Sequence, residues 1–171
     1  MFRTMKLLFI AFFMTSCARD QGRTCSTKDG LLGNVDEMFL RLAVDVPVFG
    51  GLYLDQGAPA VWLTDLSAAV SAQPFVEKLL AELQLPIGPI QFKQGQYTWP
   101  ALAGYRNVMS GASGLRVTSV DTNEGLNRVL LGVANLSVEP QLLDYARTHG
   151  VPEGAVVVEV MPVAELRDGC R

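Results

Sequence analysis

Apolar and polar positions along the chain form helix-spaced and strand-like runs that occur twice in the same order. Met38, Phe39 and Leu42 recur at helical spacing between Glu37 and Val44, with Asn34 or Asp36 placed to cap the helix. Two β-rich runs follow, Phe49 to Leu54 and Ala60 to Thr64. The stretch between them, Asp55-Gln56-Gly57-Ala58-Pro59, is turn-forming and predicts a hairpin. Helical spacing resumes near Pro74 with Phe75, Val76, Leu79, Leu80 and Leu83, and Ile90 to Phe92 reads as a closing strand. The second pass begins with a helix from Pro100 to Met109, whose apolar face is Leu102, Tyr105 and Val108 or Met109. Strands Leu115 to Val120 and Arg128 to Val133 then flank the turn Asp121-Thr122-Asn123-Glu124-Gly125. A helix near Pro140 carries Leu142, Leu143 and Ala146 and stops at Gly150, and Ala155 to Val160 is the last strand.

The two passes align as an internal repeat. Leu85-Pro86-Ile87-Gly88 falls on Val151-Pro152-Glu153-Gly154 at an offset of 66 residues. The same offset puts Asp55 on Asp121, Leu54 on Val120, Pro74 on Pro140, Phe49 on Leu115 and Phe39 on Tyr105. The expected fold is α+β: two tandem αββαβ units, residues 34–99 and 100–165, each a small three-stranded sheet packed against helices. Three strands are marginal alone, so the units are expected to pack together.

The first residues read differently. Arg3 and Lys6 precede an apolar run from Leu7 to Met14, too short to span a bilayer and shaped like a secretory signal peptide. Met14-Thr15-Ser16-Cys17 resembles the bacterial lipoprotein signal. That resemblance implies a signal peptide over residues 1–16, an acylated (palmitate-bearing) Cys17 and a tether over residues 17–33. Ala18, where an Asp would suggest inner-membrane retention, implies lipid anchoring at the outer membrane or cell surface. An ordinary signal with an incidental Cys17, and so a secreted or periplasmic soluble protein, is the alternative.

Charge and composition narrow the chemistry. The chain of 171 residues carries a net charge of −3, and removing Arg3 and Lys6 with the signal makes it −5. An acidic balance argues against nucleic acid as a partner. One His and three Cys are too few for most zinc sites, and no cofactor is expected. With Cys17 acylated, Cys25 and Cys170 are left in an oxidising compartment, either as a disulfide or as two free thiols.

Asp55 and Asp121 could pair as general acid and base, but their turn context favours bonding to nearby backbone. His149 precedes Gly150 at a helix end; catalysis would need Ser110 or Ser113 as nucleophile, and no G-x-S-x-G elbow supports that. Gly111-Ala112-Ser113-Gly114 lacks the following helix of a phosphate cradle. The chain is therefore read as non-catalytic. Tyr53, Trp62, Tyr97 and Trp99 either form a protein-binding sheet surface or lie buried between the two halves. Tyr53 is expected opposite Leu52 and Leu54, which suit the core. Asn127 and Arg128, where the second hairpin turns back, read as solvated.

One further resemblance bears on function. Val117-Thr118-Ser119-Val120-Asp121, Asn127-Arg128-Val129-Leu130-Leu131-Gly132-Val133, Val151-Pro152 and Val156-Val157-Val158-Glu159-Val160 resemble the pro-regions of secreted bacterial serine proteases of the alpha-lytic protease and streptogrisin type. In that family such a module folds and inhibits its attached protease. No protease sequence is part of these residues. The resemblance therefore implies a lipid-anchored envelope protein that binds another protein, a secreted protease among the candidates, in trans. The alternative is a structural envelope lipoprotein that scaffolds a complex.

Overall fold

The computed structural model describes residues 29–85 and 88–161. The signal, Cys17, the tether up to residue 28, Cys25, Cys170 and the tail at 166–171 lie outside the described residues. The fold is α+β and consists of two αββαβ units. The first contains α1 (Asp29–Asp45), β1 (Phe49–Asp55), β2 (Ala58–Leu63), α2 (Ala69–Glu82) and β3 (Gln91–Gln94). The second contains α3 (Trp99–Ser110), β4 (Val117–Asn123), β5 (Arg128–Val133), α4 (Glu139–Thr148) and β6 (Val156–Val160). Each sheet is mixed: the hairpin strands pair antiparallel, and the strand after the helix joins parallel to the hairpin's second strand. Among the described helices none is long and apolar enough to cross a membrane.

Local chemistry explains the shared plan. At the start of each second helix, Asp65 Oδ1 accepts from the Ser67 N–H at 2.9 Å and Asn135 Oδ1 from the Ser137 N–H at 2.8 Å. Each satisfies a donor that would otherwise be orphaned at the helix entry. At the other end, Gln84 and Gly150 both take positive φ, and the next N–H reaches back to Leu80 O and Ala146 O at 2.9 and 2.8 Å. This 6→1 bond closes the last turn in both helices.

Several boundaries differ from the sequence reading. Helix α1 starts at Asp29, so the expected boundary at 34 falls inside it. Asn34 resembles a cap, but the apolar spacing continues on both sides of it. Helix α2 starts at Ala69 and encloses Pro74. The carbonyl that Pro74 cannot bond belongs to Val70, an exposed residue, so water can serve it. Leu54 is 46% exposed and does not join Leu52 in the core. Residues 111–115 form a 3₁₀ turn ended by Arg116 at φ 60, which delays β4 to Val117.

The single offset of 66 also gives way to three. Pairing places Asp55 opposite Ala58 and Asn123 opposite Arg128, so β1 maps to β4 at 68. Ala58 then maps to Arg128 at 70, because the two-residue loop Gln56-Gly57 becomes the four residues Glu124 to Asn127. Helix α4 has 10 residues against 14 in α2. The loss of four residues, about one turn, keeps the buried face aligned and restores 66 at β3 and β6. Asp121 is therefore the counterpart of Tyr53, and Asp55 the counterpart of Asn123.

Each unit has its own core. Phe39, Phe49, Val61, Leu63, Val76 and Leu80 centre the first, and Leu102, Met109, Val129, Leu131 and Leu142 the second. The cores interlock at the junction, since Trp99, the first residue of α3, is 1% exposed and sits in the first unit's core. Its ring meets Phe39 edge-on, with centroids 4.8 Å apart. Truncating a buried Trp removes transfer energy and leaves a cavity. Trp99→Ala is expected to cost about 3–5 kcal/mol and lower Tm by roughly 10 °C in thermal denaturation.

Candidate protein-binding face

The units are joined by the turn between β4 and β5. Asn127 holds φ 54, a backbone setting that Asn tolerates better than most residues, and is 1% exposed. Its Nδ2 donates to Gly50 O at 2.8 Å and Tyr97 O at 2.9 Å. Its Oδ1 accepts from the N–H groups of Gln96 and Tyr97 at 2.8 and 2.9 Å. One carboxamide thus binds β1 of the first unit, the connecting segment and the second hairpin. A Cβ on Gly50 would lie 2.6 Å from Tyr97 O, so only glycine permits this approach. The expectation that Asn127 is solvated is corrected: its side chain replaces backbone pairing that the junction lacks. Arg128 is half-buried, donating to Gln96 Oε1 at 2.6 Å and lying over the Tyr97 ring.

The four aromatic residues do not form one exposed surface. Trp99 is core, and Tyr97 is half-buried, edge-on to Tyr105 of the second unit. Trp62 donates its Nε1–H to Glu124 O at 2.6 Å, which draws its indole under the second hairpin. Tyr53 stacks on Trp62, and Lys93 reaches the Tyr53 hydroxyl at 2.9 Å and Asp55 Oδ2 at 2.7 Å. Those two bonds, Asp55's first, raise the Lys93 pKa above its ordinary value. Tyr53 and Trp62 do lie on the outer face of the first sheet, but the second unit and Lys93 cover that face.

The second sheet differs at the matching place. Register makes Gly132 the counterpart of Trp62 and Glu159 that of Lys93. The outer face there consists of Ser119 and Asp121 on β4, Leu130 and Gly132 on β5, and Val157 and Glu159 on β6. Ser119, Asp121 and Glu159 are exposed, Leu130 and Val157 half-buried. Strand β6 is also an edge, with Val160 56% exposed at its end. The sequence held this signal in Gly132 standing where the first unit has Trp62, but the offset of 66 hid it.

The acids and His149 are placed elsewhere. Asp55 and Asp121 sit on different sheets, the first bound to Lys93 and the second 77% exposed at its side chain. Asp121 does bond nearby backbone, accepting from the Thr122 N–H, whereas at the turn that role falls to Asn123, which accepts from Leu126. His149 is exposed, stacked on Tyr145 with Nδ1 2.8 Å from the Tyr145 carbonyl. Among the described residues no group of three His, Cys, Asp or Glu side chains could hold a metal ion. Comparison with models of known families and with curated proteins finds no match.

One charge cluster flanks the joint. Arg106 Nη1 on α3 lies 2.7 Å from Asp36 Oδ2 on α1 and 4.0 Å from Asp121 Oδ1. Burial pushes the nearby Glu124 carboxyl above the usual carboxylate range; Asp121 and Asp36 add to the rise, and Arg106 opposes it. A raised folded pKa means that Glu124's contribution is full at pH below its unfolded value and fades as pH rises through the folded one. Glu124→Gln is therefore expected to raise Tm relative to the parent above the carboxylate range and leave it unchanged in acid. Melting curves of both proteins between about pH 4 and pH 8 check this.

Proposed function

We propose that this chain is a non-catalytic, lipid-anchored envelope protein that binds another protein through the outer face and free edge of its second sheet. The observation that carries the reading is the exchange of Trp62 for Gly132. The first outer face is covered by its own aromatic pair and the neighbouring hairpin, while the second presents Leu130, Val157 and the β6 edge uncovered among the described residues. An apolar patch beside an unpaired strand edge suits a partner's extended segment, because backbone pairing supplies affinity and side chains supply register. Anchoring follows from the resemblance of Met14 to Cys17 to a lipoprotein signal, and the cell surface or outer membrane from Ala18.

The pro-region resemblance of residues 115–160 favours a secreted serine protease as the partner, bound in trans. Mature protein is expected to inhibit at least one member of a panel of extracellular serine proteases with nanomolar affinity. Leu130→Arg and Val157→Arg should abolish that inhibition, and Val70→Arg, on the exposed side of α2, should not. Absence of binding across the panel overturns the protease-directed reading and leaves the scaffold role. Mass spectrometry of the mature N-terminus should find a diacylglyceryl Cys17; an unmodified N-terminus cut elsewhere contradicts the anchor.

A further inference from the structure

We infer that the occupant of the β6 edge is an extended segment of a partner protein that carries a Lys or Arg opposite Glu159, between apolar residues. The identity of this occupant rests on the reading of the second sheet as a docking surface and adds the chemistry of the partner. Two copies of the same edge strand carry it. Register matches Gln91, Phe92, Lys93 and Gln94 of β3 with Val157, Val158, Glu159 and Val160 of β6. Strand β3 is guarded against pairing, because a cation and exposed polar side chains on an edge discourage another chain. Its Gln94 Nε2 folds back on Thr64 O and Gly95 O at 2.9 and 3.1 Å. Strand β6 lacks those guards: valines stand at both glutamine positions, and Val160 is 56% exposed.

Backbone direction says what this edge offers. The Met161 N–H donates to Val133 O on β5 at 2.8 Å. Val157 and Glu159 share that inward turn, so Val158 and Val160 direct their N–H and C=O groups to the side left free among the described residues. An antiparallel partner strand would make hydrogen-bonded pairs at Val158 and Val160. Its intervening residue would meet Glu159 in the non-hydrogen-bonded pair, where side chains come closest. Glu159 is exposed and has no ion pair among the described residues. At the matching place the first sheet supplies its own cation, Lys93, which lies 2.7 Å from Asp55 Oδ2. On the second sheet Asp121 adds another carboxylate, Arg128 is engaged by Gln96 and the Tyr97 ring, and Arg106 is paired with Asp36 and Asp121. The cation for Glu159 therefore has to come with the partner, and an opposite charge across a strand pair is favourable. A second copy does not supply it: β6 against β6 would bring another Glu159 to the same face, where like charges oppose pairing.

The test is an NMR titration of the isotope-labelled full chain, to millimolar concentration, with two capped hexapeptides. One is Thr-Val-Lys-Val-Val-Thr and the other has Glu in place of Lys. The lysine peptide should shift the amide resonances of Val158 and Val160 and bind roughly three- to tenfold more tightly than the glutamate peptide. That preference should shrink as salt is added. Glu159→Lys, at an exposed position outside the core, should reverse it. Equal affinity for the two peptides, or a preference unchanged in Glu159→Lys, overturns the inference and leaves the edge as a docking site. Concentration-dependent shifts of the same amides without peptide identify a second copy as the occupant and also overturn it. Amides unmoved by either peptide overturn the edge itself, and with it the docking reading.

Discussion

The seam between the two units centres on a single buried carboxamide, flanked by Trp99 in the first core, the Trp62–Glu124 bond and the Arg106–Asp36 ion pair. Asn127 uses both Nδ2 hydrogens and both Oδ1 lone pairs on backbone groups of β1 and the connecting segment. A buried amide with all four bonds made is rigidifying, and the same group with its partners removed leaves orphaned polar atoms that cost about 1–3 kcal/mol each. The joint therefore favours one arrangement strongly over any other. By fixing Gln96 and Tyr97 it sets the start of α3, which puts Trp99 in the first core and leaves Tyr97 against the second. Three-stranded units that are marginal alone gain a shared interior in this way.

That joint also breaks the symmetry of the repeat. Covering the first outer face requires a hairpin from the next unit, and the second unit has no counterpart among the described residues to do the same for it. Side-chain chemistry follows the difference. Where the first sheet lays Trp62 and Tyr53 under the neighbouring hairpin, the second has Gly132 and Asp121, with Leu130 and Val157 beside a free edge. The proposed binding face is thus the position a third unit would fill.

Much of the fold was legible because its elements have strong local signals. Val129, Leu131 and Val133 alternate inward on β5, and the stops at Gln84 and Gly150 keep the stated offset of 66. The offset failed between them, where two residues added to the hairpin and one turn removed from the helix cancel only in part. A local match was available in Asp65-Leu66-Ser67 and Asn135-Leu136-Ser137, whose shared cap fixes the true offset of 70. The joint was harder to see. An Asn in a hairpin turn is ordinarily solvated, and nothing near Asn127 in sequence indicates that its partners lie 30 and 77 residues away. Trp99 was ambiguous for a related reason: at a helix start its neighbours in sequence belong to the second unit, but its contacts belong to the first.

The most direct test is unfolding in urea of the parent and of Asn127→Gly, which keeps the positive φ accessible while deleting all four bonds. Trp62 and Trp99 make fluorescence a probe of the first unit and its seam, and far-UV circular dichroism reports both units. The parent should unfold with coincident curves. In the variant, the fluorescence midpoint should fall to lower urea and separate from the dichroism curve. Coincident curves with an unchanged midpoint in Asn127→Gly would contradict the central role of this joint.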